Sequence, residues 1–153
     1  MTGRRYDSAQ EYSEGLAGVR VGDLWGYVDH AGKWVIPARF TAAARFSDGM
    51  ARVTEGGRTF FVANDGTTRV IPEGKWFSDF SEGRAVASSY DGRQYHRWFI
   101  DKTGNRAFPG TFAHATDFKH GLAHVAIRNG PRGEGNFAWI DANGKTVFAY
   151  SVP

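Results

Sequence analysis

The sequence contains no cysteine, so disulfides, thiolate nucleophiles and cysteine-based zinc sites are excluded. It also lacks any apolar run near the ~20 residues that a membrane-spanning helix needs. Arg4 and Arg5 lie close to the N-terminus, but no apolar segment of the kind found in secretory signals follows them. We therefore expect a cytoplasmic protein without a membrane partner.

Runs of like charge and long helical patterns are missing as well. The 19 Lys and Arg residues are balanced by 16 acidic residues, which leaves a net charge of +3 and makes nucleic acid an unlikely main partner. Glycine and aromatic residues are abundant instead, with 20 glycines and an aromatic content of 15%. This composition is typical of a chain with many tight turns and an aromatic core.

A short marker of the form aromatic–Ser–acid–Gly occurs four times, with its last copy altered. The copies are Tyr12–Gly15, Phe46–Gly49, Phe80–Gly83 and Phe118–Gly121. A second glycine, at positions 32, 66 and 104, always precedes the next marker glycine by 17 residues. One half of each repeat thus has a constant length, and the other half is longer in the third and fourth copies.

Each repeat predicts three short strands joined by tight turns, which form an antiparallel meander. We predict that Pro37, Pro72 and Pro109 end the third strand of the first three copies, because proline cannot donate to a ladder. The fold class expected is all-β, a tandem repeat in a compact propeller-like or β-solenoid arrangement. We expect a single domain over 1–153, with units of about 6–39, 40–73, 74–111 and 112–153.

The first copy contains Trp25-Gly26-Tyr27-Val28-Asp29, then Gly32-Lys33, then Val35-Ile36-Pro37. This pattern resembles the WG-repeat family, also called the KWG repeat. Later copies depart from it, with Ala138 in place of the glycine and Ala149 in place of the proline in the fourth. The resemblance implies a β-repeat protein of a kind known as binding scaffolds in bacteria, some of which resemble toxin-neutralising partners.

No residue set predicts catalysis or metal binding. Asp29, Asp101 and Asp141 share one repeat position next to a turn glycine, where a carboxylate usually accepts backbone amides. The histidines at 114, 120 and 124 cluster in sequence, but this spacing does not give a tetrahedral ligand set on a strand and turn. We therefore expect no enzymatic activity, no metal and no cofactor.

The lengthened hairpins, at 89–96 and 129–136, are the candidate binding region, because insertions at one repeat position emerge on one side of a repeat array. The aromatic pair Trp76-Phe77 of the irregular second linker is also assigned to this region. Trp34, Trp98 and Trp139 are instead expected in the core. The predicted binding residues are Tyr90, Arg93, Tyr95, His96, Arg132, Trp76 and Phe77. Tyr and Arg are enriched in interface hot spots, which favours another protein as partner.

Two other functions stay open. Arginine beside exposed aromatic residues also suits single-stranded nucleic acid or another anionic polymer. A cleft lined by polar and aromatic side chains would instead suit a carbohydrate or an enzymatic substrate.

Overall fold

The computed structural model describes residues 5–129 and 135–153 of the chain. These residues form fifteen strands and no helix, so the described chain has no helix that could cross a membrane. The strands make four antiparallel sheets, one for each repeat, and none of the four closes on itself over these residues. The all-β, four-copy prediction is confirmed.

The strands follow the repeats in order. The first copy contains β1 (Ser8–Ala9), β2 (Ala17–Val21), β3 (Leu24–Val28) and β4 (Trp34–Phe40). The second contains β5 (Ala42–Ala43), β6 (Met50–Glu55), β7 (Arg58–Ala63) and β8 (Thr68–Arg69). The third contains β9 (Trp76–Phe77), β10 (Ala85–Tyr90) and β11 (Tyr95–Ile100). The fourth contains β12 (His114–Ala115), β13 (Ala123–Asn129), β14 (Gly135–Ile140) and β15 (Thr146–Val152).

The sheets differ from the predicted three-stranded meander at both edges. Each linker contributes a two-residue strand that pairs with the second strand of its copy, as in Ser8 opposite Arg20. Three sheets therefore have four strands, and the third copy has three because residues 106–108 form only a single bridge there, Ile100 with Arg106. The linkers are thus parts of the sheets.

Each marker forms a tight turn with left-handed backbone at two successive residues. In the first copy these are Glu14, with φ of 53°, and Gly15, with φ of 82°. The backbone amides and carbonyls of Ser13 and Leu16 bond to each other across the turn. Positive φ at both central positions is the mark of a type I′ turn, and the same geometry recurs at Asp48, Glu82 and His120.

Pro37 does not end the third strand of the first copy, contrary to the prediction. β4 continues through Pro37 to Phe40, because a bulge places three residues opposite Gly26 and removes Pro37 from the regular ladder. A Cβ on Gly26 would lie 2.6 Å from both the Ala38 nitrogen and the Ile36 oxygen. Glycine is required here because the bulged backbone of β4 passes directly over it.

The chain divides into two compact units, Met1–Val70 and Ile71–Pro153, each of which contains two copies. In the first unit, Tyr27, Ile36 and Phe40 of the first copy pack against Phe46 and Val53 of the second. The second unit repeats the arrangement, with Phe99 and Phe108 of the third copy packed against Phe118, Val125 and Ile140 of the fourth. The single domain over 1–153 and the propeller-like or solenoid arrangement stay predictions.

A hydrogen-bonded clasp accompanies each of these two cores. The Ser13 hydroxyl donates to the Phe46 carbonyl at 2.7 Å, and the Glu14 carboxylate accepts the Gly49 amide at 3.0 and 3.1 Å. In the second unit Ser81 donates to the Phe118 carbonyl and Glu82 accepts the Gly121 amide. Within each unit the marker of the first of its two copies therefore joins that copy to the other through its serine and its acidic residue.

Candidate functional site

Three exposed aromatic side chains lie on one face of the third sheet. Tyr90 is directly opposite Tyr95, and Trp76 is opposite Ser88, which precedes Tyr90 by two residues in β10. Residues two apart in a strand share a face, so all three rings emerge from the same face of the sheet. The ring centroids of Tyr90 and Tyr95 are 4.9 Å apart, and those of Trp76 and Tyr95 are 5.9 Å apart. We call Trp76, Tyr90 and Tyr95 the aromatic surface. Each remains between 46% and 50% exposed.

Two cations border the aromatic surface. The Lys75 ammonium lies 5.2 Å from the Trp76 ring centroid, and the Arg97 guanidinium lies 5.0 Å from that of Tyr95. Arg97 also donates to the Ala113 carbonyl, which fixes the guanidinium beside the ring. The surface thus combines exposed π faces with positive charge, and its strands restrain the side chains that carry both.

The two residues of the predicted aromatic pair point to opposite faces of the sheet. Phe77 is opposite Ala87, is only 7% exposed, and belongs to the interior. Successive residues of a strand alternate between faces, so only one member of the pair can join the aromatic surface. The structure therefore brings Trp76, Tyr90 and Tyr95 together and separates Phe77 from them.

His96 and Arg93 complete the hairpin. His96 Nε2 lies 2.7 Å from Asp91 Oδ2, and the other oxygen of Asp91 accepts the backbone amides of Arg93 and Gln94. These bonds, with the contact to His96 the largest contribution, lower the pKa of Asp91 to about 2. Arg93 lies exposed in the turn. Arg132, the remaining predicted binding residue, falls outside the described residues.

A cleft of about 750 Å³ opens beside the aromatic surface, between the third and fourth copies. Trp76, Phe77 and Val86 line one side of it, and Leu122 and Trp139 line the other. Trp139 is 39% exposed, so the prediction that it lies in the core is wrong. The sequence suggested a core residue because Trp139 lies on a central strand, but it points away from the core face that carries Ala138 and Ile140.

The model of the WG containing repeat family matches residues 4–25 and 25–58. Residues 4–58 contain WG repeats. The matches cover the first copy and most of the second, which include Trp25-Gly26 and the first two markers. No curated protein and no solved structure matches the chain.

Two histidines of the fourth copy, His114 and His124, lie at a group of aromatic side chains. His124 Nε2 is 2.9 Å from the Tyr150 hydroxyl, and its ring stacks on Phe137 with centroids 5.5 Å apart. His114 faces His124 at 6.5 Å, and burial, followed by Arg97 and His124, lowers the pKa of His114. Over the described residues no three His, Asp or Glu side chains converge as a metal site would require.

The turn aspartates occupy the positions that the sequence indicated. Asp29 Oδ1 accepts the amides of Ala31 and Lys33, each at 2.9 Å. Asp141 accepts those of Asn143 and Lys145 in the same way, and Asp101 accepts that of Thr103. Their carboxylates therefore stabilise the turns of the first, third and fourth copies.

Proposed function

We propose that this WG-repeat chain is a cytoplasmic, non-enzymatic binding module that recognises another protein through the aromatic surface. The observation that carries the proposal is the contact of Trp76, Tyr90 and Tyr95 on one sheet face, half exposed and flanked by Lys75 and Arg97. A linker and a lengthened hairpin supply these residues, so their meeting is a property of the fold. The family resemblance favours a toxin or a scaffolded protein as the partner.

The chemistry of the surface indicates what the partner presents. Trp, Tyr and Arg are the residue types that dominate interface hot spots, and Trp and Tyr bury a large area with few rotatable bonds. Tyr90 and Tyr95 lie on two hydrogen-bonded strands that already hold their backbone in place, so binding costs little further conformational entropy. We expect a partner segment with an apolar centre and carboxylates that reach Lys75 and Arg97.

The test is affinity capture from the native host with the wild-type chain and two variants, Trp76→Ala and Tyr95→Ala. We expect a stoichiometric protein that the wild type retains and both variants lose. Truncation of a hot-spot residue costs about 2 kcal/mol or more, which is roughly thirtyfold in affinity. The captured protein, once purified, is then titrated against all variants by calorimetry.

Tyr12→Ala is the matched control, because Tyr12 is an aromatic residue of similar exposure, 46%, in the first unit. Its loss should leave capture unchanged. Equal loss of capture in Tyr12→Ala and Trp76→Ala would contradict recognition by the aromatic surface, as would unchanged capture in both Trp76→Ala and Tyr95→Ala.

Single-stranded nucleic acid is the second candidate, favoured by the two cations next to half-exposed aromatic rings. Binding of this kind falls steeply as salt is added. Oligonucleotide binding that is lost in Trp76→Ala and weakens strongly with salt would replace the protein partner by a nucleic acid. A carbohydrate in the cleft is the third candidate, and it would need Trp139 as well as Trp76.

A further inference from the structure

The last strand, β15, is an uncovered sheet edge. It spans Thr146–Val152, is exposed along its whole length, and lies outermost in the order β12-β13-β14-β15. Neither β14 nor β15 contains a charged residue, and Val147 and Phe148 are 60% and 59% exposed. A long, apolar and uncharged edge is what soluble proteins usually avoid, because its free backbone groups pair with other strands.

The other copies protect the same edge. In the first, Pro37 and the bulge opposite Gly26 interrupt the ladder, and Ile36 and Phe40 are buried by the second copy. In the second, β8 ends after two residues, and in the third the described residues form no strand at this position. The fourth copy has Ala149 where the first has Pro37, so its ladder runs unbroken from Phe148 to Val152.

The fourth copy also lacks the side chains with which one WG repeat clasps the next. Lys119 and His120 occupy the positions of Ser13 and Glu14. A lysine ammonium cannot replace the small serine hydroxyl, and a histidine cannot supply the carboxylate that accepts the glycine amide. The exposed edge can therefore pair with a single β-strand, but the fourth copy lacks the marker side chains that would hold a further repeat against it.

We infer that β15 pairs antiparallel with β15 of a second copy of this chain. The two-fold axis passes beside Ala149, because this register alone places all seven residues from Thr146 to Val152 opposite a residue of the second copy. The bulge of β15 at Val147 then lies near the end of the paired segment rather than at the axis. Phe148 then faces Tyr150 of the second copy, and Thr146 faces Val152. Such isologous pairing joins two four-stranded sheets into one of eight strands.

The absence of charge favours a second copy over a charged partner. β14 and β15 offer no ion pair by which such a partner could be selected, and no repulsion between two copies. The pairing covers the exposed side chains of Phe148 and Tyr150, each facing the other residue in the second copy, and facing aromatic side chains stabilise antiparallel pairs. It uses no residue of the aromatic surface, so it does not depend on the proposed function.

The first test is the oligomeric state, measured by sedimentation and light scattering from low micromolar to submillimolar chain. We expect a reversible dimer for the wild type. Ala149→Lys and Ala149→Glu should each weaken it at least roughly tenfold, because like charges would face each other across the axis. An equimolar mixture of the two variants should restore the dimer. The control, Val21→Lys, adds the same charge at an exposed strand position of the first unit and should remain dimeric.

The second test uses the lack of natural cysteine. Residues facing each other in an antiparallel pair have Cα atoms about 4.5 to 5.5 Å apart, within the range of a disulfide. Ala149→Cys should therefore form a covalent dimer on oxidation, whereas Val21→Cys should not. A monomeric wild type, a dimer that persists in both charged variants, or equal cross-linking through Val21→Cys would overturn the proposal.

Discussion

The third strands of the first and fourth copies occupy one repeat position but different environments. Ile36 in β4 is 3% exposed, whereas its equivalent in β15, Phe148, is 59% exposed. Tyr27 and Trp139 differ in the same way, at 0% and 39%. The residues are similarly apolar, so the difference teaches that residues at these positions are buried by the copy packed on them rather than by their own sheet.

The backbone of the two strands differs for a local reason. In the first copy, Gly26 and Pro37 lie at a bulge between β3 and β4. In the fourth copy, Ala138 and Ala149 occupy the same positions and form a regular pair between β14 and β15. The bulge needs a position without Cβ beneath it, and proline fits a position that donates no ladder hydrogen bond. The two residues therefore act as a pair.

The largest expected effect tests burial. Ile36→Ala should lower the free energy of unfolding of the first unit by about 3 kcal/mol, because it leaves a cavity in a packed core. Phe148→Ala should change that of the second unit by less than about 0.5 kcal/mol in monomeric chain. Urea unfolding at low protein concentration measures both. Equal losses would break the comparison.

The next effect tests the bulge. Gly26→Ala should lower the free energy of unfolding by about 2 kcal/mol. The new Cβ would clash with backbone atoms of β4, which cannot move away as a flexible side chain could. Ala138→Gly, at the same repeat position, should cost about 1 kcal/mol through added backbone freedom. Thermal unfolding of the two variants gives the values. A harmless Gly26→Ala would show that β4 relaxes into the regular ladder of β15.

A smaller effect concerns the clasp. Glu14→Ala should destabilise the first unit by about 0.5 to 1 kcal/mol, because the Gly49 amide loses its acceptor at a solvent-exposed site. His120→Ala, at the equivalent position of the fourth copy, should leave stability unchanged. Hydrogen exchange of the Gly49 amide in Glu14→Ala provides a direct measurement, with faster exchange expected. An unchanged rate would contradict the clasp.

The smallest effect extends the comparison to the hairpin of the third copy. The Asp91 carboxyl should titrate near 2, and His96→Ala should move its midpoint up toward 3.8, since the bond to His96 is the main cause of the lowered pKa. Because the pKa of Asp91 is lower in the folded hairpin than in the unfolded chain, its carboxylate stabilises the fold fully at pH values above the unfolded pKa. This stabilisation is lost as the pH falls through about 2. Carbon NMR of the carboxyl checks it.

Much of this fold could be predicted from recurring residues. The markers and the turn glycines indicated where strands begin and end, because tight turns need left-handed backbone at set positions. The two-residue linker strands were missed, since so short a segment has no periodicity. The path of β4 through Pro37 was missed as well, because the bulge depends on the neighbouring strand.

The candidate site was partly predictable. Hairpin length and residue type pointed to Tyr90 and Tyr95, and the irregular linker pointed to Trp76. Their contact could not be predicted, because it requires β9 to pair with β10 in a particular register. The same register sends Phe77 inward, which a sequence pair such as Trp76-Phe77 does not reveal.

The sequence alone determined the repeat, its turns and its β character, because these depend on local backbone preferences and the residues that set them recur in every copy. Tertiary structure decided which equivalent residues are covered and which stay open to solvent. Packing between copies is a long-range effect, and identical local patterns carry no information about what lies across from them. Phe148 and Ile36 differ for that reason.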